Sequence, residues 1–281
     1  MPNIFEIIKT VILGIVEGIT EWLPISSTGH MVLVDEFMKL SVRDEFMDIF
    51  LVVIQLGAIL AVVLLFWSKL WPFRLKRQSG EKIVDVDKIL LWVKILIASI
   101  PAAIIGLCFD DQIDEMLTGD MRAFVVAGAL IVYGILFIVI ESLKKKEKII
   151  NLDKMPYLTA LYIGLVQCLS LVPGTSRSGS TILGASLLGT SRTVAAEFSF
   201  FLGIPAMFGA SAIKLLKFFL DGFAFTSEEI MIMLIGCAVS FVVSILAIKF
   251  LVGYIKKHDF KAFGVYRIIL GIAVIAYFAF S

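Results

Sequence analysis

Residues 49–68, 123–140 and 230–248 each run without a charge for close to the length of a bilayer crossing. About 20 predominantly apolar residues in helical form span the hydrocarbon core. Lipid offers backbone amides no hydrogen-bonding partner, so such runs fold as helices. Residues 89–109 form a fourth run with Lys94 inside it, and 262–281 a fifth with Arg267 near one end. Residues 198–213 extend back through Ala195 and Ala196, past Glu197, to make a sixth. The expected fold class is therefore an all-α polytopic membrane protein with six transmembrane helices. Composition agrees, with 59% hydrophobic and 17% charged residues, where soluble domains carry about 45–50% apolar and about 25% charged residues. A net charge of +1 lacks the basic excess on which nucleic-acid binding depends, so no nucleic-acid partner is expected. Cys108, Cys168 and Cys237 each lie in an apolar run and read as small core hydrophobes. No secretory signal is expected, because the start Met-Pro-Asn-Ile-Phe-Glu lacks a basic region and Glu17 and Glu21 interrupt the apolar run.

Loop charges set the direction of the spans. Residues 69–88 carry six Lys and Arg, 141–154 carry five, and 249–261 carry four. Residues 110–122 carry one basic residue and five acids, and 214–229 two basic residues and three acids. Lys and Arg in short loops mark the cytoplasmic side, so the loops alternate in, out, in, out, in. A single crossing by residues 155–192 would put the basic 249–261 loop outside. That segment, apolar but broken by proline, glycine and hydroxyl residues, must therefore enter and leave on the cytoplasmic side. The similar opening segment reads as a hairpin entering from the opposite face. Two re-entrant helical hairpins from opposite faces are the mark of an inverted-topology repeat.

Short internal matches support that reading. Ile12-Leu13-Gly14-Ile15-Val16-Glu17 aligns with Tyr162-Ile163-Gly164-Leu165-Val166-Gln167. Leu23-Pro24-Ile25-Ser26-Ser27 aligns with Val172-Pro173-Gly174-Thr175-Ser176, one residue out of step, and Phe50 and Ala58 with Phe198 and Ala206. The chain is expected to be a single integral membrane domain, 1–281. Repeat one would cover about 1–115 with its hairpin in 2–40, and repeat two about 155–281 with its hairpin in 155–192.

The polar residues at depth point to phosphate. Glu17 and Glu21 stand four residues apart and project from one helix face. Carboxylates at membrane depth need a partner or a water-filled cavity, and two so close need a shared proton or a cation between them. Pro24 then breaks the helix, and Ser26-Ser27-Thr28-Gly29-His30 opens a second half-helix. Pro173-Gly174-Thr175-Ser176-Arg177-Ser178-Gly179-Ser180-Thr181 repeats the design with an arginine. Glycine permits close backbone approach, hydroxyls hydrogen-bond, and helix N-termini attract anions. A guanidinium fork suits phosphate oxygens, and Arg177 at this depth must face an anion or the carboxylates. His30, three residues after Ser27 on the same face, places an imidazole near a hydroxyl, which a mere binding site does not need. His258, beside Lys256 and Lys257, reads as a solvated loop residue.

Glu17-Gly-Ile-Thr-Glu21-Trp-Leu-Pro-Ile-Ser-Ser27-Thr-Gly-His30 and Pro173-Gly-Thr-Ser176-Arg177-Ser-Gly-Ser-Thr181 resemble the two signature motifs of the undecaprenyl-diphosphatase, or bacitracin-resistance, family. The likeness extends through residues 54–61 and 191–200 and over essentially the whole chain. Another lipid phosphatase superfamily with a Ser-Arg element requires a second histidine after the arginine, and here none follows Arg177 within eighty residues. The resemblance implies a multi-pass bacterial plasma-membrane enzyme with a site open to the extracytoplasmic side. It implies hydrolysis of undecaprenyl diphosphate to undecaprenyl phosphate, which recycles the lipid carrier for cell-wall synthesis. A divalent cation, Mg2+ or Ca2+, would assist. Carried onto this chain, the resemblance implies Ser27 as nucleophile and Arg177 as the phosphate clamp. Glu17 and Glu21 would be metal ligands or bases, with His30 assisting proton transfer. Ser26, Thr28, Gly29, Gly174, Ser176, Ser178 and Thr181 would line the phosphate cradle. The partners implied are the polyprenyl diphosphate and membrane lipids, with a homodimer left open. The rival reading is a lipid-phosphate flippase or secondary transporter, which would need Arg177 but neither Ser27 nor His30.

Overall fold

The computed structural model describes residues 2–73, 83–116, 119–143 and 146–280. Of the basic-loop positions, Arg74, Lys76, Arg77, Lys82, Lys144 and Lys145 lie outside the described residues. So do the side chains of Asp35, Glu36, Asp110, Asp111, Asp114, Glu115 and Asp120. The chain opens with α1 (Ile4–Thr20) and α2 (Ser27–Phe37). Then come α3 (Asp44–Leu65), the single turn α4 (Trp67–Leu70), α5 (Val86–Met116) and α6 (Gly119–Ser142). Next, α7 (Tyr157–Gln167) passes through a 3-10 turn, Cys168–Leu171, to α8 (Arg177–Leu187). Three long helices close the chain: α9 (Arg192–Leu220), α10 (Ser227–Ile255) and α11 (Lys261–Phe280).

Among the described residues six helices are long and apolar enough to cross a membrane: α3, Val86–Phe109 of α5, Met121–Ser142 of α6, α9, α10 and α11. Each overlaps one of the six runs read from the sequence, and the protein is an all-α polytopic membrane protein. Residues 110–122 differ from their reading as a loop. There α5 continues to Met116 and α6 begins at Gly119. Polarity alone does not stop a helix; a cap or a breaker does, and residues 109–116 contain neither Gly nor Pro. Pro101 and Pro205 sit inside α5 and α9, where neighbouring helices make such breaks tolerable in a membrane.

Both broken segments fold back on themselves. At the base of the first hairpin, Lys9 Nζ donates to the Lys39 carbonyl at 2.7 Å, and the Ser41 amide to Glu6 Oε2 at 2.9 Å. At the base of the second, the Ile149 amide donates to the Gly189 carbonyl at 3.0 Å and the Ser191 amide to the Ile149 carbonyl at 2.8 Å. The bases lie at opposite ends of the bundle. Near the first, Arg43 at the start of α3 binds Glu229 of α10 at 2.7 Å. Near the second, Arg192 at the start of α9 binds Glu141 of α6 at 2.6 Å. Helix α9 runs from that second end to the first, where the Phe218 ring lies 5.3 Å from the Arg43 guanidinium.

The hairpins are held by exchange: α1 packs on α10, α7 packs on α5, and α6 pairs with α11. Lipid is as apolar as leucine, so van der Waals fit and close backbone approach hold such helices together. Gly14 of α1 faces the Gly236 carbonyl of α10, and Gly164 of α7 faces the Ala98 carbonyl of α5 with no space for a Cβ. Gly164→Ala should lower the midpoint of thermal unfolding in detergent by several degrees, the effect of about 1–3 kcal/mol of overpacking. Gly128→Ala, whose Cβ would meet nothing within 4 Å, should leave it unchanged. Equal shifts in the two variants would refute the tight α5–α7 contact.

Candidate active site

The two hairpin turns repeat one local design. Helix α1 ends at Thr20, yet Glu21 keeps right-handed helical backbone and its N–H donates to the Glu17 carbonyl at 3.0 Å. Glu17 and Glu21 therefore stay one turn apart on one face, only 1% and 8% exposed. Ser26 caps α2 by accepting the Gly29 N–H at 3.3 Å, and Ser176 caps α8 by accepting the Gly179 N–H at 3.1 Å. Ser26 and Ser176 are, among the described residues, the only non-glycine positions with positive φ, at 73° and 71°. That conformation costs about 1–3 kcal/mol per residue and persists only where the surroundings impose it. The caps set Ser26 against Ser176 and Ser27 against Arg177. This is one residue from the pairing that aligned the two prolines, and it restores the spacing of Gly14 with Gly164.

From these turns the side chains converge. Ser27 Oγ donates to Glu21 Oε2 at 3.0 Å, and Arg177 Nη2 donates to Glu21 Oε1 at 3.0 Å. One carboxylate thus joins a hydroxyl of the first hairpin to a guanidinium of the second. Arg177 Nη1 also donates to the Ser199 carbonyl of α9 at 2.7 Å, and its guanidinium lies 5.9 Å from the centre of the Trp22 ring. Ser178 Oγ donates to the Glu21 carbonyl at 3.0 Å and sits 3.1 Å from Ser176 Oγ. Thr181 Oγ1 donates to Ser199 Oγ at 2.7 Å. Ser178 and Thr181 are fully buried and their hydroxyls bind protein groups, while Ser27, Thr28 and Ser176 are half-buried. Gly174, at φ 91°, brings its turn against the Val126 backbone of α6, where a Cβ would stand 2.6 Å away.

His30 follows a separate course. Its Nδ1 lies 2.7 Å from the Ser26 carbonyl and its Nε2 lies 2.7 Å from the Tyr266 hydroxyl. A carbonyl only accepts, so Nδ1 carries a proton, and Nε2 shares a hydrogen bond with the Tyr266 hydroxyl. Helical spacing from Ser27 does not become a hydrogen bond between the two. His258 is exposed and stacks on Tyr254, with ring centres 4.5 Å apart.

Four residues enter the site that the motifs did not point to: Tyr133, Ser199, Tyr266 and Arg267. Arg267 of α11 is completely buried. Its Nη1 donates to the Pro24 carbonyl at 3.2 Å, and its Nη2 to the Gly174 and Thr175 carbonyls at 2.8 and 3.0 Å. The Tyr133 ring lies 5.3 Å from the guanidinium. A charge inside an apolar run was the one signal available, since such residues face a bundle interior or a cavity. Near the carboxylates, Glu17 Oε1 is buried and has no hydrogen-bond partner. Among the described residues no group of three or more His, Cys, Asp or Glu gathers anywhere.

The site is a hydroxyl–carboxylate–guanidinium chain at the meeting of two helical hairpins in a polytopic membrane protein. The family model for the bacitracin resistance protein BacA matches residues 10–273, and this chain belongs to that family. The undecaprenyl-diphosphatase of Acetivibrio thermocellus is 57% identical over 275 residues, covering 97% of this chain and 98% of its own. That of Enterococcus faecalis is 57% identical over 275 residues, covering 97% of each chain. Undecaprenyl-diphosphatase 1 of Clostridioides difficile is 57% identical over 276 residues, covering 98% of this chain and 97% of its own.

The Glu21–Arg177 pair is nearly dry, with side chains 9% and 12% exposed. Removing one partner of a buried pair strands the other's charge, at about 3–5 kcal/mol. Arg177→Met should lose stability on that scale, and the double variant Glu21→Gln/Arg177→Met should recover most of it in denaturant unfolding. Additive losses would mean that the two side chains do not interact.

Proposed function

We propose that this chain hydrolyses undecaprenyl diphosphate to undecaprenyl phosphate and inorganic phosphate, with Ser27, Glu21 and Arg177 carrying the reaction. Recycling of the lipid carrier for cell-wall polymers and resistance to bacitracin follow from that activity. The observation that carries the reading is the chain of contacts from Ser27 Oγ through the Glu21 carboxylate to Arg177. Glu21 is placed to take the Ser27 proton as Oγ bonds to the terminal phosphorus. The bond from that phosphorus to the bridging oxygen breaks, and its electron pair leaves with undecaprenyl phosphate. A phosphate monoester has a second pKa of about 6, so it departs as an anion without an acid to assist it. Water then attacks the phosphoserine, the Ser27–phosphorus bond breaks, and Glu21 returns its proton to Ser27. The proton of the water passes toward His30, whose Nε2 must first release the Tyr266 hydroxyl. Arg177 offsets charge on the phosphate oxygens, which is the main demand of phosphoryl transfer. The starts of α2 and α8 favour an anion at the turns. Of the expected cradle, half-buried Thr28 and Ser176 are the hydroxyls nearest to open space, while Ser26, Ser178 and Thr181 bind protein groups and shape the turns. A transporter or flippase would not need the Ser27–Glu21 contact, which favours the enzyme.

A divalent cation, Mg2+ or Ca2+, belongs to this reading. Glu17 and Glu21 are the carboxylates that would hold it, and the unpartnered Glu17 Oε1 fits a ligand atom. Two carboxylates with phosphate oxygens and water completing the shell is the habit of Mg2+. When bound, the ion would supply charge neutralisation at the phosphate oxygens.

The basic loops fall at the end that holds the base of the second hairpin, which supports a cytoplasmic place for that end. The site would then open outward from the plasma membrane. The matched caps, the matched glycines and the reciprocal packing of α1 on α10 and α7 on α5 support two inverted repeats.

The purified protein with undecaprenyl diphosphate and a divalent ion should release inorganic phosphate, and no release with any divalent ion would sink the activity. Ser27→Ala should lower the rate by at least about 10³-fold, as losses of a nucleophile do. A rate within tenfold of the parent would leave direct attack by water as the route. Glu17→Gln should raise the half-saturating cation concentration by about 10–100-fold. An unchanged cation titration would move the ion elsewhere.

A further inference from the structure

Arg267 is the only side chain among the described residues that hydrogen-bonds to the turns of both hairpins through its guanidinium, and neither signature motif contains it. Three carbonyls converge on its two terminal nitrogens, one from the first turn and two from the second. No carboxylate pairs with it among the described ion pairs, so carbonyl dipoles and the Tyr133 ring stabilise the charge. Its seat is built on several sides. Tyr133 is itself fixed by the Ser180 hydroxyl at 3.1 Å, and a Cβ at Gly179 would come within 3.0 Å of Arg267 Nη1.

The bonded carbonyls lie one or two residues before the two strained caps. Pro24 lies two residues before Ser26, and Thr175 lies directly before Ser176. A peptide unit is planar and trans, so drawing the Thr175 carbonyl toward Arg267 turns the Ser176 N–H the opposite way. The same three bonds fix the separation of the turns, and with it the distance from the Ser27–Glu21 pair to Arg177. We propose that Arg267 is a positioning residue for phosphoryl transfer: it braces the two hairpin turns into one unit and so sets the geometry in which nucleophile, base and phosphate clamp meet. The inference rests on the phosphatase reading. Arg267 touches neither the Ser27 hydroxyl nor Glu21, and acts through the turns that carry them.

The test compares the parent protein, Arg267→Met and Arg267→Lys in detergent, with undecaprenyl diphosphate as substrate and thermal unfolding measured alongside. A misplacement of about 1 Å costs on the order of 100-fold in rate. Folded Arg267→Met should lose kcat on that scale while KM stays within about threefold. Arg267→Lys keeps the charge but cannot span both turns, and should remain nearly as slow. Recovery by lysine to about a third of the parent rate would show that charge alone suffices and would overturn the brace. A Met variant that is less stable but keeps the parent kcat per folded molecule would overturn it as well. If Arg267→Met yields no folded protein, Tyr133→Leu removes one wall of the seat without touching either turn. It should cut kcat about tenfold with KM held, and an unchanged kcat there refutes the proposal. A parent protein that releases no phosphate would fail the function itself, whereas an active parent with active variants fails only this inference.

Discussion

A helix broken at membrane depth exposes backbone N–H and carbonyl groups that lipid cannot satisfy, each at a cost of several kcal/mol. Among the described residues, the two hairpin segments break in this way into turns, at 21–26 and 172–176. The repair is partly local, partly from the other hairpin and partly from α11. Ser26 and Ser176 take up N–H groups at the starts of α2 and α8. Ser178 reaches across to the Glu21 carbonyl, and Arg267 gathers carbonyls from both turns. The site follows from this repair, because the groups left over are the hydroxyl of Ser27, the carboxylates and the outer face of Arg177.

The division of labour between hairpins has a physical logic. Ser27 and Glu21 sit on the first, Arg177 on the second, so the hydroxyl and the guanidinium proposed to act on phosphate belong to separate hairpins. Their relation depends on the packing between the hairpins. Buried polar contacts of this kind are strong while complete and costly when one member is lost. Close packing at Gly14 and Gly164 holds the first helix of each hairpin against a long span from the other half of the chain. The tips are therefore anchored through their own stems as well as through each other.

Much of this was legible in the sequence, for reasons that differ by residue. The spans could be read because lipid permits only one backbone solution to a long apolar run. The hairpins could be read because charges in the loops exclude a single crossing by 155–192. Glu17, Glu21, Ser27 and Arg177 stood out because polar groups are rare at depth. Tyr266 and Ser199 did not, since tyrosine and serine are ordinary in a span and only three-dimensional contact gives them partners. Arg267 was visible as a charge yet carried no address, for it lies about ninety residues beyond the turn it braces. The pairing of the two turns was read one residue off because prolines were aligned. The structure aligns the caps, where positive φ leaves little freedom.

Charge balance explains why the reading includes a cation. The ionisable groups whose contacts meet at the turns are Glu17, Glu21, Arg177 and Arg267, two carboxylates against two guanidiniums. Counted in their ionised forms these groups cancel one another, which leaves no surplus positive charge for a substrate. A diphosphate brings at least two further negative charges. Arg177 uses two of its five N–H donors on Glu21 and Ser199, so it can offer others to phosphate oxygens. Its charge is already matched by Glu21, however, and Arg267 is held by three carbonyls behind the turns. No third guanidinium or ammonium bonds to these groups among the described contacts. The excess negative charge that Arg177 cannot meet is of the size that one divalent ion cancels. The residue with a free buried oxygen to receive it is Glu17, on the same helix face as Glu21.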